Sequence, residues 1–140
     1  MDARKITDSL SVAPQLTAAD MAEAARAGFR AIICNRPDGE GADQPAFDEI
    51  EAEAKKHGLQ TAYLPVVSGN LQDADVRDFG TALTALPGPV LAYCRSGTRS
   101  ATLWALSEAG KRPLPDILAA TEQAGYDMTG VVERFAARQT

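Results

Sequence analysis

Short apolar runs that suit buried strands alternate along this chain with amphipathic stretches closed by glycine or proline. No other feature limits the fold as sharply, because strands that alternate with helices must lie parallel and be covered on both faces. Residues 6–12 read as an opening strand or hairpin, and Thr17 stands where it can cap a helix over residues 18–27 that Gly28 ends. Residues 31–34 form an apolar strand, residues 35–40 a turn-rich loop, and residues 45–57 a helix closed by Gly58. A strand over residues 61–67 follows, then a helix from Asp73 or Asp75 to Leu86, broken by Pro87-Gly88-Pro89. Residues 90–93 are a strand that delivers Cys94, and residues 100–108 a helix stopped near Gly110. Pro115 and Gly125 bracket another helix, and residues 129–138 a last one. The expected fold is therefore α/β, a three-layer sandwich with a mainly parallel central sheet flanked by helices. At 140 residues the whole chain, residues 1–140, suits one domain.

Sheets of this kind place their sites at the carboxyl ends of strands. Three loops fall there: residues 34–40, 67–71 and 94–100. The last, Cys94-Arg95-Ser96-Gly97-Thr98-Arg99-Ser100, carries most of the chemistry. A cysteine nucleophile works as a thiolate, which a helix N-terminus and nearby cations stabilise. Gly97 frees the chain to turn successive N–H groups inward as an anion nest. Arg95 and Arg99 add guanidiniums able to grip an oxyanion, and Ser100 at the mouth of the helix can cap it or donate to the sulfur. Cys94 and Arg99 are thus the catalytic candidates, with Arg95, Ser96, Gly97, Thr98 and Ser100 as the anion cradle.

A net charge of −5 gives no reason to expect nucleic acid or an anionic membrane as partner. No apolar run reaches signal-peptide or membrane-span length, so a cytoplasmic location is expected. Two cysteines and one histidine make neither a disulfide framework nor a zinc site, and no metal or organic cofactor is expected.

The segment Tyr93-Cys94-Arg95-Ser96-Gly97-Thr98-Arg99-Ser100 resembles the active-site loop of rhodanese-type sulfurtransferases, which have four residues between the cysteine and the matching position. Tyrosine and dual-specificity phosphatases place five residues between cysteine and arginine, whereas Ser100 holds that position here and Arg99 comes one place early. One place on a helix is about 100° of rotation, so Arg99 is expected to miss the direction of a phosphatase arginine. The remaining chain nonetheless resembles the dual-specificity phosphatases, from residues 6–12 through Asn35-Arg36-Pro37-Asp38-Gly39-Glu40 and Leu64-Pro65-Val66 to residues 88–94. Over residues 3–110 it is similar to the phosphatase-like domain found alone or fused to beta-lactamase-like persulfide dioxygenases. That resemblance implies a cysteine-phosphatase-like fold carrying a rhodanese-length loop. Dual-specificity phosphatases also carry a general-acid Asp after a Pro-containing strand, where this chain has Val67-Ser68-Gly69-Asn70. Asp73 and Asp75 are near but read as helix caps.

The leading expectation is a sulfurtransferase in which Cys94 takes sulfane sulfur as a persulfide and passes it to a thiol or similar acceptor. Its partners are a small anionic sulfur donor and a thiol acceptor. The alternatives are phosphate-ester hydrolysis through a Cys94 phosphocysteine and a non-catalytic anion-binding module. Arg36 and Asp38 either line the pocket or serve as a structural pair. Cys34 reads as a buried strand cysteine or an acceptor thiol, and His57 as a helix-end charge. Leu103 and Trp104 read as core, and Arg134 and Arg138 as surface.

Overall fold

The computed structural model describes residues 1–131. A hairpin of β1 (Arg4–Thr7) and β2 (Leu10–Ala13) opens the chain, followed by α1 (Asp20–Arg26), β3 (Ala31–Cys34), α2 (Phe47–Lys56) and β4 (Gln60–Tyr63). Then come α3 (Asp73–Ala85), β5 (Val90–Tyr93), α4 (Thr98–Glu108) and α5 (Leu114–Gln123). The strands form one sheet in the order β1-β2-β5-β3-β4, antiparallel only between β1 and β2. The α/β sandwich expected from the alternation is thus the observed fold.

Side chains alternate across the central strands, and this alternation divides the core in two. Ala31, Ile33, Val90 and Ala92 face α3, α4 and α5, where Phe79, Trp104 and Ile117 pack. Ile32, Cys34, Leu91 and Tyr93 face α1 and α2, where Met21 and Ile50 pack. Leu103 and Trp104 are buried, as their spacing predicts. Burial on both faces explains why β3 and β5 read as unbroken apolar runs rather than alternating ones.

The boundaries differ from expectation where local chemistry intervenes. Thr17 does not cap α1; its own N–H donates instead to Asp20 Oδ2 at 2.8 Å, and the helix starts at Asp20. β4 ends at Tyr63, before Leu64-Pro65, because proline has no N–H for a ladder. Gln72 caps α3 in a reciprocal box with Asp75, whose carboxylate accepts the Gln72 N–H at 2.9 Å. α4 begins two residues earlier than expected, at Thr98, directly after Gly97 with φ 93°. The expected helix over residues 129–138, with Arg134 and Arg138, lies largely outside the described residues. No helix among the described residues is long and apolar enough to cross a membrane.

Candidate active site: the Cys94 loop and its arginines

The ladder that makes the sheet also sets its upper loops. Past β5, Cys94 N–H reaches the Ala13 carbonyl at 3.4 Å, and Arg95 O accepts from Gln15 N–H at 3.2 Å. Beside them Asn35 N–H donates to Tyr93 O, and Val66 N–H to Asn35 O. These bonds fasten the chain after β2 to the Cys94 loop, and tie Asn35 to the end of β5 on one side and to Val66 on the other.

Cys94 is 1 % exposed and ends the strand with its sulfur turned under the next turn of chain. Gly97 N–H donates to Cys94 Sγ at 3.1 Å. Gly97 is indispensable to that contact twice over. Its φ of 93° suits no side chain, and a Cβ placed there would collide with the Tyr126 ring and hydroxyl. Tyr126 in turn donates to the Ser96 carbonyl at 3.0 Å, taking the acceptor that a continuous helix would offer to Ser100 N–H. Burial is the main cause that pushes the Tyr126 hydroxyl up from its usual pKa, which keeps it a donor.

Arg99 is the centre of a network. Its Nη1 donates to Glu40 Oε2 at 2.7 Å and to the Val66 carbonyl at 2.9 Å, and its Nη2 donates to Glu40 Oε1 at 2.8 Å. Glu40 also accepts from Arg36 Nε at 3.0 Å, and Arg36 Nη1 donates to Gln15 Oε1 at 3.0 Å. Arg99 holds Glu40 below the usual carboxylate range, with burial opposing and Arg36 adding to the effect. The Arg99 guanidinium is itself raised, chiefly by Glu40 and further by the nearby Cys94 sulfur. Arg99 thus turns both terminal nitrogens to Glu40, and one of them also to the Val66 carbonyl, from the first turn of α4.

The remaining predicted residues divide. Ser96 Oγ donates to Thr98 Oγ1 at 2.9 Å, and both side chains stay at the exposed rim with Arg95. Ser100 is buried, and its hydroxyl donates to Asn35 Oδ1 at 2.8 Å, so its proton is not directed at the sulfur. Arg36 is buried and joins the network through Glu40, not through Asp38. Asp38 Oδ1 instead accepts Phe47 N–H at 2.9 Å and secures the start of α2. Cys34 faces the α1–α2 side, where its thiol donates to Arg36 O at 3.2 Å and burial pushes its pKa up. His57 is exposed at the end of α2, with Nε2 3.6 Å from Glu53. Asp75 is occupied by its cap, while Ser68, Gly69 and Asn70 are exposed. Among the described residues no cluster of three or more His, Cys, Asp or Glu could hold a metal ion. Sequence reasoning missed Glu40, Gln15 and Tyr126. Only the two acidic residues that follow an arginine in Arg36-Pro37-Asp38-Gly39-Glu40 offered a signal.

A mainly parallel sheet with a cysteine at the end of its central strand, a glycine N–H on the sulfur and an arginine in the first turn of the helix that follows defines a cysteine-phosphatase-like domain. Residues 2–111 match the family described as "Beta-lactamase hydrolase-like protein, phosphatase-like domain", and the chain belongs to that family. A beta-lactamase hydrolase-like protein of Agrobacterium fabrum is 34% identical over 142 residues, covering 100% of this chain and 33% of the relative. One from Xylella fastidiosa is 35% identical over 125 residues, covering 88% of this chain and 29% of the relative. The chain thus spans about a third of the length of these curated relatives. A crystal structure from Neisseria meningitidis, described as a candidate phosphatase, superposes with a TM-score of 0.87 at 36% identity over 96% of each chain. The P. aeruginosa protein TpbA, solved with phosphotyrosine, shares the fold at a TM-score of 0.64 and 18% identity, covering 89% of this chain and 72% of its own.

Proposed function

We propose that this domain hydrolyses a phosphate ester through a covalent Cys94 intermediate. The observation that carries the proposal is the Cys94 sulfur accepting the Gly97 N–H at 3.1 Å where the chain turns into α4, whose first turn holds Arg99. The candidate phosphatase from Neisseria, similar over nearly the whole chain, supports the same reading. In the first step the Cys94 thiolate attacks phosphorus and the bond to the ester oxygen breaks. Arg99 and the N–H groups of the loop stabilise charge on the phosphoryl oxygens. Water supplies the proton for the leaving oxygen, since Ser68, Gly69 and Asn70 present no carboxylic acid there. A second water then attacks phosphorus, releasing phosphate and restoring the thiolate.

One observation favours sulfane-sulfur transfer as a second reading. Four residues separate Cys94 from Arg99, and both terminal nitrogens of Arg99 already grip Glu40, so fewer donors remain for a tetrahedral phosphoryl group than for a single sulfur. In that reaction the thiolate attacks the outer sulfur of an anionic donor such as thiosulfate and releases sulfite. An acceptor thiolate then takes the sulfur as its own persulfide, and no acid is needed.

Intact-mass measurement after rapid quenching separates the two. An aryl phosphate should add about 80 Da to the parent chain and nothing to Cys94→Ser, with vanadate-sensitive turnover. A gain of about 32 Da from thiosulfate, removed by cyanide, with no phosphoryl adduct would replace hydrolysis by sulfur transfer. If neither adduct forms, the site is a non-catalytic anion-binding module.

A further inference from the structure

The chain between β3 and α2 is closed on itself by one side chain, that of Gln44. Its Oε1 accepts the Glu40 N–H at 3.1 Å and the Gly41 N–H at 3.2 Å, and its Nε2 donates to the Pro37 carbonyl at 2.9 Å. Both ends of the amide are thus spent on backbone groups that lie outside any helix or strand. The Gln44 N–H adds a turn to the Gly41 carbonyl at 3.3 Å. Gly41 itself lies against Arg36, since a Cβ there would stand 3.0 Å from Arg36 Nη2. The segment that Gln44 fixes therefore packs on the buried Arg36 and carries Glu40. A glutamate reaches its partners through several rotatable bonds, so its carboxylate is only as well placed as the backbone beneath it. Glu40 holds two guanidiniums at once, Arg36 through Nε and Arg99 through both terminal nitrogens. The remaining Arg99 N–H groups, on Nε and Nη2, donate to no oxygen among the described residues and form a pair suited to an oxyanion.

We propose that Gln44 is a positioning residue for the reaction at Cys94. By closing the loop over residues 37–44 it fixes Glu40, and through Glu40 it holds Arg99 in place from the other side of the sheet's crown. Gln44 touches neither arginine through any hydrogen bond, so its whole effect on Arg99 passes through Glu40. The proposal rests on the reading of Cys94 and Arg99 as the reacting centre, yet the hold on Arg99 is measurable without turnover.

The test labels arginines with phenylglyoxal and reads each site by peptide mass. In the parent, Arg99, with its side chain 13 % exposed, should label slowly beside the exposed Arg95. Gln44→Met keeps the length of the side chain and removes its hydrogen bonds. It should speed labelling of Arg99 about tenfold and leave Arg95 within about twofold, and Gln44→Ala should do the same. Glu40→Gln should release Arg99 by the same route, so adding Gln44→Met to it should change little. General loosening would instead add in full and reach Arg95 as well. The rate of Cys94 adduct formation from an aryl phosphate should fall in Gln44→Met. An Arg99 rate unmoved by both Gln44 substitutions, equal acceleration of Arg95, full additivity with Glu40→Gln, or an adduct rate equal to the parent's would each overturn the proposal. If the parent forms no adduct, the reading of Cys94 falls and labelling alone decides whether Gln44 holds Arg99. An adduct in the parent with unchanged labelling removes Gln44 and keeps the nucleophile.

Discussion

At the scale of single residues, Gly97 and Tyr126 decide whether Cys94 has a loop to sit in. The αL turn at Gly97 brings its N–H to the sulfur, and the Tyr126 hydroxyl holds the Ser96 carbonyl away from the helix that follows. Gly97→Ala meets both a forbidden φ and the Tyr126 ring, so it should destabilise the domain by about 1–3 kcal/mol. Turnover should fall with it, because relief of the clash displaces the N–H from the sulfur. Tyr126→Phe removes only the hydrogen bond and should cost about 1 kcal/mol with turnover reduced but measurable. Urea midpoints and steady-state rates on the two variants check both expectations. Equal loss of activity in the two would show that the hydroxyl, and not the glycine turn, sets the geometry.

At the scale of elements, the chain's own pattern located the strands and most helices, because each follows from local chemistry: alternation, a proline stop, a glycine exit. Residues 31–34 and 90–93 were legible for that reason. What a linear reading could not reach were pairings that only the sheet creates. Ser100 meets Asn35 across 65 residues, Arg99 meets Glu40 across 59, and Tyr126 meets Ser96 across 30. The rotation argument at Arg99 took the helix to start at Ser100, whereas the turn at Gly97 starts it at Thr98. Asp38 was ambiguous between pocket and scaffold because its target, the first N–H of α2, lies nine residues ahead. Its side chain supports α2, so Asp38→Ala should cost about 1 kcal/mol of stability while leaving the rate of adduct formation at Cys94 near that of the parent. A large rate loss without a stability loss would return Asp38 to the site.

At the scale of the whole molecule, one carboxylate joins the loops that crown the sheet. Glu40 binds Arg99 from the cysteine loop and Arg36 from its own, Arg36 reaches Gln15 after β2, and Arg99 reaches Val66 after β4. Stability of the crown should accordingly depend on the charge of Glu40. Arg99 lowers its folded pKa beneath the usual carboxylate range, whereas an unfolded Glu titrates near about 4.3. A group depressed by folding contributes in full above its unfolded pKa and loses that contribution as pH falls through the folded one. Glu40→Gln should therefore be less stable than the parent at neutral pH, by about 3 °C in Tm for each kcal/mol lost. The gap should stay constant down to about pH 5 and close below it, as protonation deprives the parent of the same charge. Salt should narrow the gap only in part, since Arg36 is buried while Arg99 and Glu40 keep some contact with water. Thermal melts of the two chains from pH 7 to pH 3 measure this directly. A gap that persists unchanged at pH 3 would mean that Glu40 holds the loops by shape and hydrogen bonding, with its charge immaterial.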